Sequence, residues 1–154
     1  MSGHRIRLDW KSGDAPFTYE SYSRNHEILF KEGAGALTVS AAAAYRGDGT
    51  KADPEDLLVA ALSSCHMLSF LAICAKKELA VESYRDDAEG FLETAASAGS
   101  PGKLWLTRVI LRPHVVFSGG ARPTSAEIEH MHHLAHQACF IANSVKTDVR
   151  VAPR

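Results

Sequence analysis

The stretch "DPEDLLVAALSSCHMLSFLAICAKKE", residues 53–78, predicts the long helix on which the fold depends. Asp53 is a suitable N-cap, Pro54 suits the first helical position, and the two acidic residues that follow suit the positive end of the helix dipole. From Leu57 to Leu62 the stretch has no polar face. A helix that is apolar all round is enclosed by other elements of its chain or by another subunit.

The apolar run from Leu57 to Cys74 approaches the length of a membrane span. Two adjacent serines and a histidine interrupt it, and two lysines follow at once. These breaks favour a helix buried inside a soluble protein. The opening "MSGHRIRLDW" alternates charged and apolar residues and has no apolar core of a secretory signal, so we expect a cytoplasmic protein.

Length and charge narrow the class of protein. The chain has 154 residues, 45% of them apolar, and we expect one domain over residues 1–154. A net charge of −1 gives no electrostatic reason to expect nucleic acid or an anionic membrane as a partner. Three cysteines form an odd set for a disulfide-stapled extracellular scaffold. In a reducing compartment each cysteine is structural, a metal ligand or redox-active.

Short β-forming stretches flank the predicted helix. Four N-terminal strands are predicted, with "KEGAG" (31–35) as a hairpin turn between the last two: "HRIRLDW" (4–10), "FTYESYS" (17–23), "HEILF" (26–30) and "ALTVSAA" (36–42). The loop "RGDGTKAD" (46–53) leads into the helix. Later strand-like stretches are "AVESYRDDAEGFLETA" (80–95), "KLWLTRVILRPHVVFS" (103–118) after the loop "SAGSPG" (97–102), and "VKTDVRVA" (145–152).

A second helix follows the break "SGGARP" (118–123). Thr124 and Glu127 form a capping box, and Asn143 is a plausible stop. Its predicted core stripe, at helical spacing, is Ile128, Met131, Ala135, Ala138 and Ala142. Strands, helix, strands, helix and strand predict an α+β fold.

Helical geometry separates the cysteines of the first helix. Cys65 and Cys74 are nine residues apart, so they point to roughly opposite sides and cannot pair. Cys74 reads as a small core residue. Cys65 has four polar neighbours in an otherwise apolar helix, which indicates a polar pocket and a candidate reaction site: Ser63, Ser64, His66 and Ser69. Inert burial is the alternative for Cys65 and for Cys139.

Histidines cluster beside Cys139. His132 and His136 precede it by seven and three residues on one side of the second helix, which is a partial zinc site that needs further ligands such as Cys65. The other interpretation is a polar, partly exposed histidine face. We favour the exposed face, because no Cys-x-x-Cys or His-Glu-x-x-His pattern supports a metal. The role of the cluster from His130 to His136 stays open.

Two motifs resemble the OsmC/Ohr family of cysteine-based peroxidases, in its OsmC-like branch. They are "DPEDLLVAALSSCHML" and, some seventy residues later, "AHQACFIANSV". The resemblance implies an intertwined homodimer in which antiparallel sheets wrap two central helices, with no metal or other cofactor. It implies that Cys65 is the peroxidatic thiol, that Cys139 is the resolving thiol, and that Glu55 pairs with an arginine facing Cys65.

Two arginines compete for that position. Arg24, in "YSRNHEILF", is favoured, and Arg46, in "AYRGDG", is the alternative. Glu55 and Cys65 are ten residues apart, about 15 Å along one helix. A Glu55–arginine pair that touches Cys65 therefore comes from another copy of the chain. This spacing predicts a homodimer with shared active sites.

The leading hypothesis is a cytoplasmic peroxidase that reduces organic hydroperoxides, with hydrogen peroxide as a second candidate substrate. Cys65 becomes a sulfenic acid, condenses with Cys139 to a disulfide, and is reset by a thiol or dithiol reductant. Its partners are the second subunit, the hydroperoxide and the reductant. The alternative is a non-enzymatic protein that binds or senses zinc or a small ligand through the Cys/His cluster.

Overall fold

A computed structural model describes residues 3–31, 34–95, 102–120 and 122–154. The chain divides into two compact units, Met1–Leu57 and Leu58–Arg154. The single domain over residues 1–154 stays a prediction.

The first unit contains an antiparallel sheet in the order β1-β2-β3. Its strands are β1 (Ile6–Asp9), β2 (His26–Phe30) and β3 (Ala36–Val39), so three of the four predicted N-terminal strands are confirmed. Strands β2 and β3 run antiparallel as the predicted hairpin requires, although residues 32–33 of its turn lie outside the described part of the chain.

The predicted strand "FTYESYS" is wrong. Residues 18–22 of this stretch form a turn, in which the Tyr22 N–H donates to the Thr18 carbonyl at 3.0 Å. Local aromatic contacts replace strand pairing: the Phe17 and Tyr22 rings lie 5.4 Å apart, and Trp10 packs against both. Trp10 also donates to the Ser23 carbonyl at 2.7 Å. Alternating aromatic residues therefore serve a loop cluster here.

Helix α1 (Pro54–Lys76) begins where the sequence predicts. The Asp53 carboxylate accepts from the Asp56 N–H at 2.9 Å, and the Asp56 carboxylate accepts from the Asp53 N–H at 3.2 Å. This reciprocal cap satisfies backbone donors that the first helical turn leaves unpaired. In the loop before it, Gly47 is required, because a Cβ there would lie 1.6 Å from the Ala41 carbonyl oxygen.

The second unit contains two sheets. In one, β4 (Val81–Asp86) pairs antiparallel with β7 (Pro113–Phe117). In the other, β6 (Lys103–Leu111) pairs antiparallel with β5 (Glu89–Ala95) and parallel with β8 (Asp148–Val151). Each long strand-like stretch of the sequence is thus two strands that belong to different sheets. Most of the predicted loop "SAGSPG" (97–102) lies outside the described residues.

A carboxylate makes hydrogen bonds at the places where these strands are interrupted. The Asp86 carboxylate accepts from the Arg112 N–H at 2.6 Å and from the Ser63 hydroxyl at 2.6 Å. One carboxylate thereby joins the end of β4, the β6–β7 junction and α1.

Helix α2 (Ser125–Ala138) has the predicted capping box between Thr124 and Glu127. It ends five residues before the predicted stop, and Cys139 is its C-cap with φ −73° and ψ 109°. Residues 142–144 form a separate 3-10 turn. Of the predicted core stripe, Met131 and Ala135 are buried and Ile128 is half-buried, whereas Ala138 is exposed and Ala142 lies beyond the helix.

Helix α1 packs with one face into two clusters of the second unit. Phe70 and Cys74 join Phe117, Met131 and Ala135 between α1, β7 and α2. Leu62 joins Val109 and Leu111 of β6. Within one chain the opposite side of α1 is an exposed stripe: Ala60, Ser64, Leu68, Ala72 and Ala75. By length and composition α1 could cross a membrane, but the core helix of a soluble protein passes the same test.

Candidate active site

The structure brings together the two cysteines that the sequence assigns to the site. Cys65 on α1 and Cys139 at the end of α2 lie near enough for Cys65 to raise the pKa of Cys139, and both are free thiols. Cys74 is also a free thiol, buried in the core as predicted, and burial raises its pKa. The second unit therefore holds one adjacent pair and one isolated thiol.

The two paired thiols have different surroundings. Cys65 is half-buried, whereas Cys139 is 1% exposed. Burial is the main cause that raises the pKa of Cys139, and its hydrogen bond with Cys65 raises it further. The Cys139 sulfur also accepts from the Ala142 N–H at 3.4 Å. Cys139 is thus held as a protonated thiol beside a more accessible one.

The polar neighbours of Cys65 do not form one pocket. Ser63 bonds to Asp86, and Ser64 is exposed. His66 points into the core, where it is fully buried. The helix turn separates these side chains, so the inference of a single polar pocket around Cys65 is wrong.

His66 instead pairs with His132 of α2. His66 Nε2 and His132 Nδ1 are 3.0 Å apart, and the two ring planes are nearly parallel, at 11°. The face of the His132 ring stacks on Phe70, with centroids 4.1 Å apart. His132 is 2% exposed, so the predicted polar, partly exposed histidine face is wrong for this residue, although His130 and His133 are exposed.

Both imidazoles are held neutral by burial. Burial lowers the pKa of His66 to about 4, with a further lowering from His132 and His136 and an opposing effect of Asp86. Burial likewise lowers the pKa of His132 to about 4. Within the described part of the chain, the outer ring nitrogens His66 Nδ1 and His132 Nε2 have no hydrogen-bond partner.

The zinc alternative gains no support from this arrangement. Among the described residues, no group of three or more His, Cys, Asp or Glu side chains is arranged to hold a metal ion. His66 and His132 point their nitrogens at each other, which is the opposite of a shared coordination point.

Arg24 lies in the first unit, where its guanidinium is anchored by a loop. Its nitrogens donate to the carbonyls of Tyr19 and Tyr22, the latter at 2.6 Å. Its guanidinium carbon lies 3.7 Å from the centre of the Tyr22 ring. Arg24 is half-buried by these contacts.

Arg46 and Glu55 belong to the same unit. Arg46 is exposed, follows a 3-10 turn with φ 64°, and lies 5.8 Å from the centre of the Tyr19 ring. Both candidate arginines therefore stand beside Tyr19. Glu55 is half-buried in the first turn of α1, and its carboxylate makes no hydrogen bond or ion pair with the described residues.

A cavity of about 470 Å³ opens in the first unit. Arg24 and Pro54 both line it, and Glu55 is the next residue of α1. Most of its wall is apolar or aromatic, from Leu8, Trp10, Phe17 and Tyr22. The sequence pattern does not reveal this cavity, because Phe17 and Tyr22 of its wall belong to the stretch whose alternation predicts a strand.

Comparison with known proteins agrees with this architecture. The family model described as OsmC-like protein matches residues 47–154. A solved OsmC-like protein of unknown function from Vibrio cholerae is 45% identical, with 100% of both chains covered and a TM-score of 0.92. No curated protein matches this chain.

More distant solved structures share the fold. An organic hydroperoxide resistance protein OsmC from Legionella pneumophila is 17% identical, with 99% of this chain and 98% of that chain covered and a TM-score of 0.67. The organic hydroperoxide resistance protein OhrB of Bacillus subtilis is 14% identical, with 97% and 98% covered and a TM-score of 0.64. The chain belongs to the OsmC-like family, and its α+β fold is the one predicted.

Proposed function

We propose that this protein is a cysteine-dependent peroxidase that reduces organic hydroperoxides. Membership of the OsmC-like family, with organic hydroperoxide resistance proteins among its structural neighbours, supports a role in redox or peroxide stress. The observation that carries the proposal is the contact between the accessible Cys65 thiol and the buried Cys139 thiol.

The chemistry needs both thiols in sequence. The Cys65 thiolate attacks one peroxide oxygen, the O–O bond breaks, and an alcohol leaves with a proton, so that Cys65 becomes a sulfenic acid. The Cys139 sulfur then attacks the Cys65 sulfur and expels water, which forms the Cys65–Cys139 disulfide. An external thiol or dithiol reduces this disulfide by exchange. No metal or other cofactor takes part in these steps.

The buried position of Cys139 suits the resolving role. A thiol whose pKa is raised by burial stays protonated and does not compete for peroxide, because the thiolate is the nucleophile. The half-buried Cys65 is accessible to a small substrate.

The remaining parts of the proposed site come from the first unit of a partner subunit. Glu55 is about 15 Å from Cys65 along α1, too far to act on it within one helix. We place a second copy against the exposed stripe of α1, so that Arg24 and Glu55 of one subunit complete the cysteine pair of the other. Four of the five residues of this exposed stripe are apolar, and Leu68 is 61% exposed in a single chain, which supports such an interface.

Arg24 is the proposed active-site arginine, and Arg46 is the alternative. Arg24 is half-buried in the wall of an apolar cavity, whereas Arg46 is exposed. The apolar wall of the cavity suits the apolar tail of an organic hydroperoxide. The guanidinium charge stabilises the thiolate and the departing alkoxide.

We also propose that the chain forms a single domain and that the protein is cytoplasmic.

Hydroperoxide consumption in cysteine variants tests the proposal. Cys65→Ser abolishes consumption of cumene hydroperoxide with dithiothreitol as reductant. Cys139→Ser permits one turnover and then accumulates oxidised Cys65. Cys74→Ala is the matched control, because it removes the unpaired thiol and leaves turnover intact. Full activity of Cys65→Ser would falsify the proposal.

A further inference from the structure

A second polar contact joins α1 and α2 next to the thiol pair. His66 directly follows Cys65, and His132 precedes Cys139 by seven residues, about 10 Å along α2. Their facing nitrogens are 3.0 Å apart, within hydrogen-bond distance. The two contacts therefore involve consecutive residues of α1, whereas their partners in the α2 segment are seven residues apart.

Burial of this imidazole pair costs free energy that a pair of apolar side chains would not cost. Its two outer nitrogens are buried without a partner among the described residues, whereas two apolar side chains would leave none. The pair makes the contact between the helices directional. An N–H···N bond forms in only one relative register of the two helices. Buried polar pairs fix helix register in this way in coiled coils.

Register matters for Cys139 because of where it lies. It is the C-cap of α2, in an extended conformation just past the last helical residue. A disulfide requires Cα atoms about 4.4–6.8 Å apart. A slip of α2 by one residue, about 1.5 Å, uses up much of that tolerance.

We infer that His66 and His132 are positioning residues, whose hydrogen bond holds α1 and α2 in the register that lets Cys139 reach the Cys65 sulfur. The pair acts on the second step, disulfide closure, and not on the first attack by Cys65. The inference rests on the proposed roles of the two cysteines.

Dithiobis-nitrobenzoate (DTNB) separates the two steps without peroxide. The Cys65 thiolate attacks the reagent disulfide, forms a mixed disulfide and releases one nitrothiobenzoate. The Cys139 thiolate then attacks the Cys65 sulfur, its proton having gone to solvent, and releases the second nitrothiobenzoate as the Cys65–Cys139 disulfide forms. The first release is bimolecular and the second unimolecular, and peptide mapping identifies the disulfide.

The apolar variants keep a planar ring at the position of an imidazole and remove its hydrogen bond. In His132→Phe the second release slows by about ten- to a hundredfold, while the first is unchanged. In the double variant H66Q/H132N, whose amides take the places of Nε2 and Nδ1, closure recovers toward the wild-type rate. The matched control is His133→Phe on the exposed side of the same helix, where both rates stay at wild type.

Wild-type closure in a folded His132→Phe protein overturns the inference. If that single variant does not fold, closure at the wild-type rate in folded H66F/H132F overturns it equally. If neither apolar variant folds, slow closure in H66Q/H132N overturns it and wild-type closure supports it. A wild-type protein that closes with DTNB but consumes no hydroperoxide defeats the proposed function and leaves this inference standing.

Discussion

Two side-chain pairs join α1 to the α2 segment, and they differ in access and chemistry. The thiol pair has one half-buried member, Cys65, and one buried member, Cys139. The imidazole pair of His66 and His132 is sealed, with 0% and 2% exposure. A reactive pair needs an entrance for its substrate, whereas a pair that fixes geometry is strongest where water cannot compete.

Two consecutive residues of α1 have different environments. Cys65 and His66 are consecutive, yet the helix turns one toward an accessible site and the other into the core. The orientation of the Cys65 thiol therefore depends on how the His66 side chain packs in the core.

Removal of the Phe70 ring, which stacks on His132, has the largest expected effect on stability. Phe70 is fully buried and stacks on His132, so Phe70→Ala lowers the free energy of unfolding by about 3–5 kcal/mol. Urea denaturation measures this change. The control Leu104→Ala, at a half-exposed strand position, changes it by less than about 0.5 kcal/mol. Equal losses in both variants would contradict the packing described for Phe70.

Removal of one imidazole costs more than removal of both. His132→Phe leaves His66 Nε2 buried and unpaired, which lowers the free energy of unfolding by about 1–3 kcal/mol. The double variant H66F/H132F recovers most of that loss, because no polar atom of the pair is then left over. A double-mutant cycle by urea denaturation measures the coupling, and additive effects would show that the hydrogen bond is absent.

Acid destabilises the sealed pair. The pKa of each histidine is about 4 in the folded protein, below the ordinary 6.5, so the unfolded chain binds more protons below pH 6.5. Stability from the neutral pair is complete above pH 6.5 and is lost as pH falls toward 4. Thermal unfolding of wild type and H66F/H132F across this range measures the effect, and the wild type loses more. Parallel curves would mean that the imidazoles are not buried neutral.

The smallest expected effect is at the far end of α2. Thr124→Ala removes the capping box and lowers the free energy of unfolding by about 1 kcal/mol. Because the cap lies two turns before His132, we expect no change in disulfide closure. Ser125→Ala, the exposed neighbour, is the matched control for both measurements. A closure defect in Thr124→Ala would mean that the whole helix, and not the imidazole pair, sets the register.

Features fixed by neighbouring residues could be predicted from the sequence. Both helix starts, the α+β order and the burial of Cys74 follow from caps, turns and periodicity. The meeting of Cys65 and Cys139 came from the family resemblance, since a contact across 74 positions leaves no local pattern.

Features decided by tertiary contacts were missed. The aromatic residues of "FTYESYS" fit a strand pattern equally well, but Trp10 draws them into a loop cluster. His132 has the same composition around it as the exposed His133, and only the ring of Phe70 and the nitrogen of His66 distinguish them. A single sequence does not report which histidine finds a buried partner.

The most direct test of the Cys65–Cys139 redox pair is mass spectrometry after one equivalent of an organic hydroperoxide. Reduced wild-type protein is mixed with cumene hydroperoxide, quenched with an alkylating agent and digested. We expect one disulfide-linked peptide pair that contains Cys65 and Cys139, with Cys74 alkylated. Peroxide consumption with both cysteines recovered as alkylated thiols would contradict it.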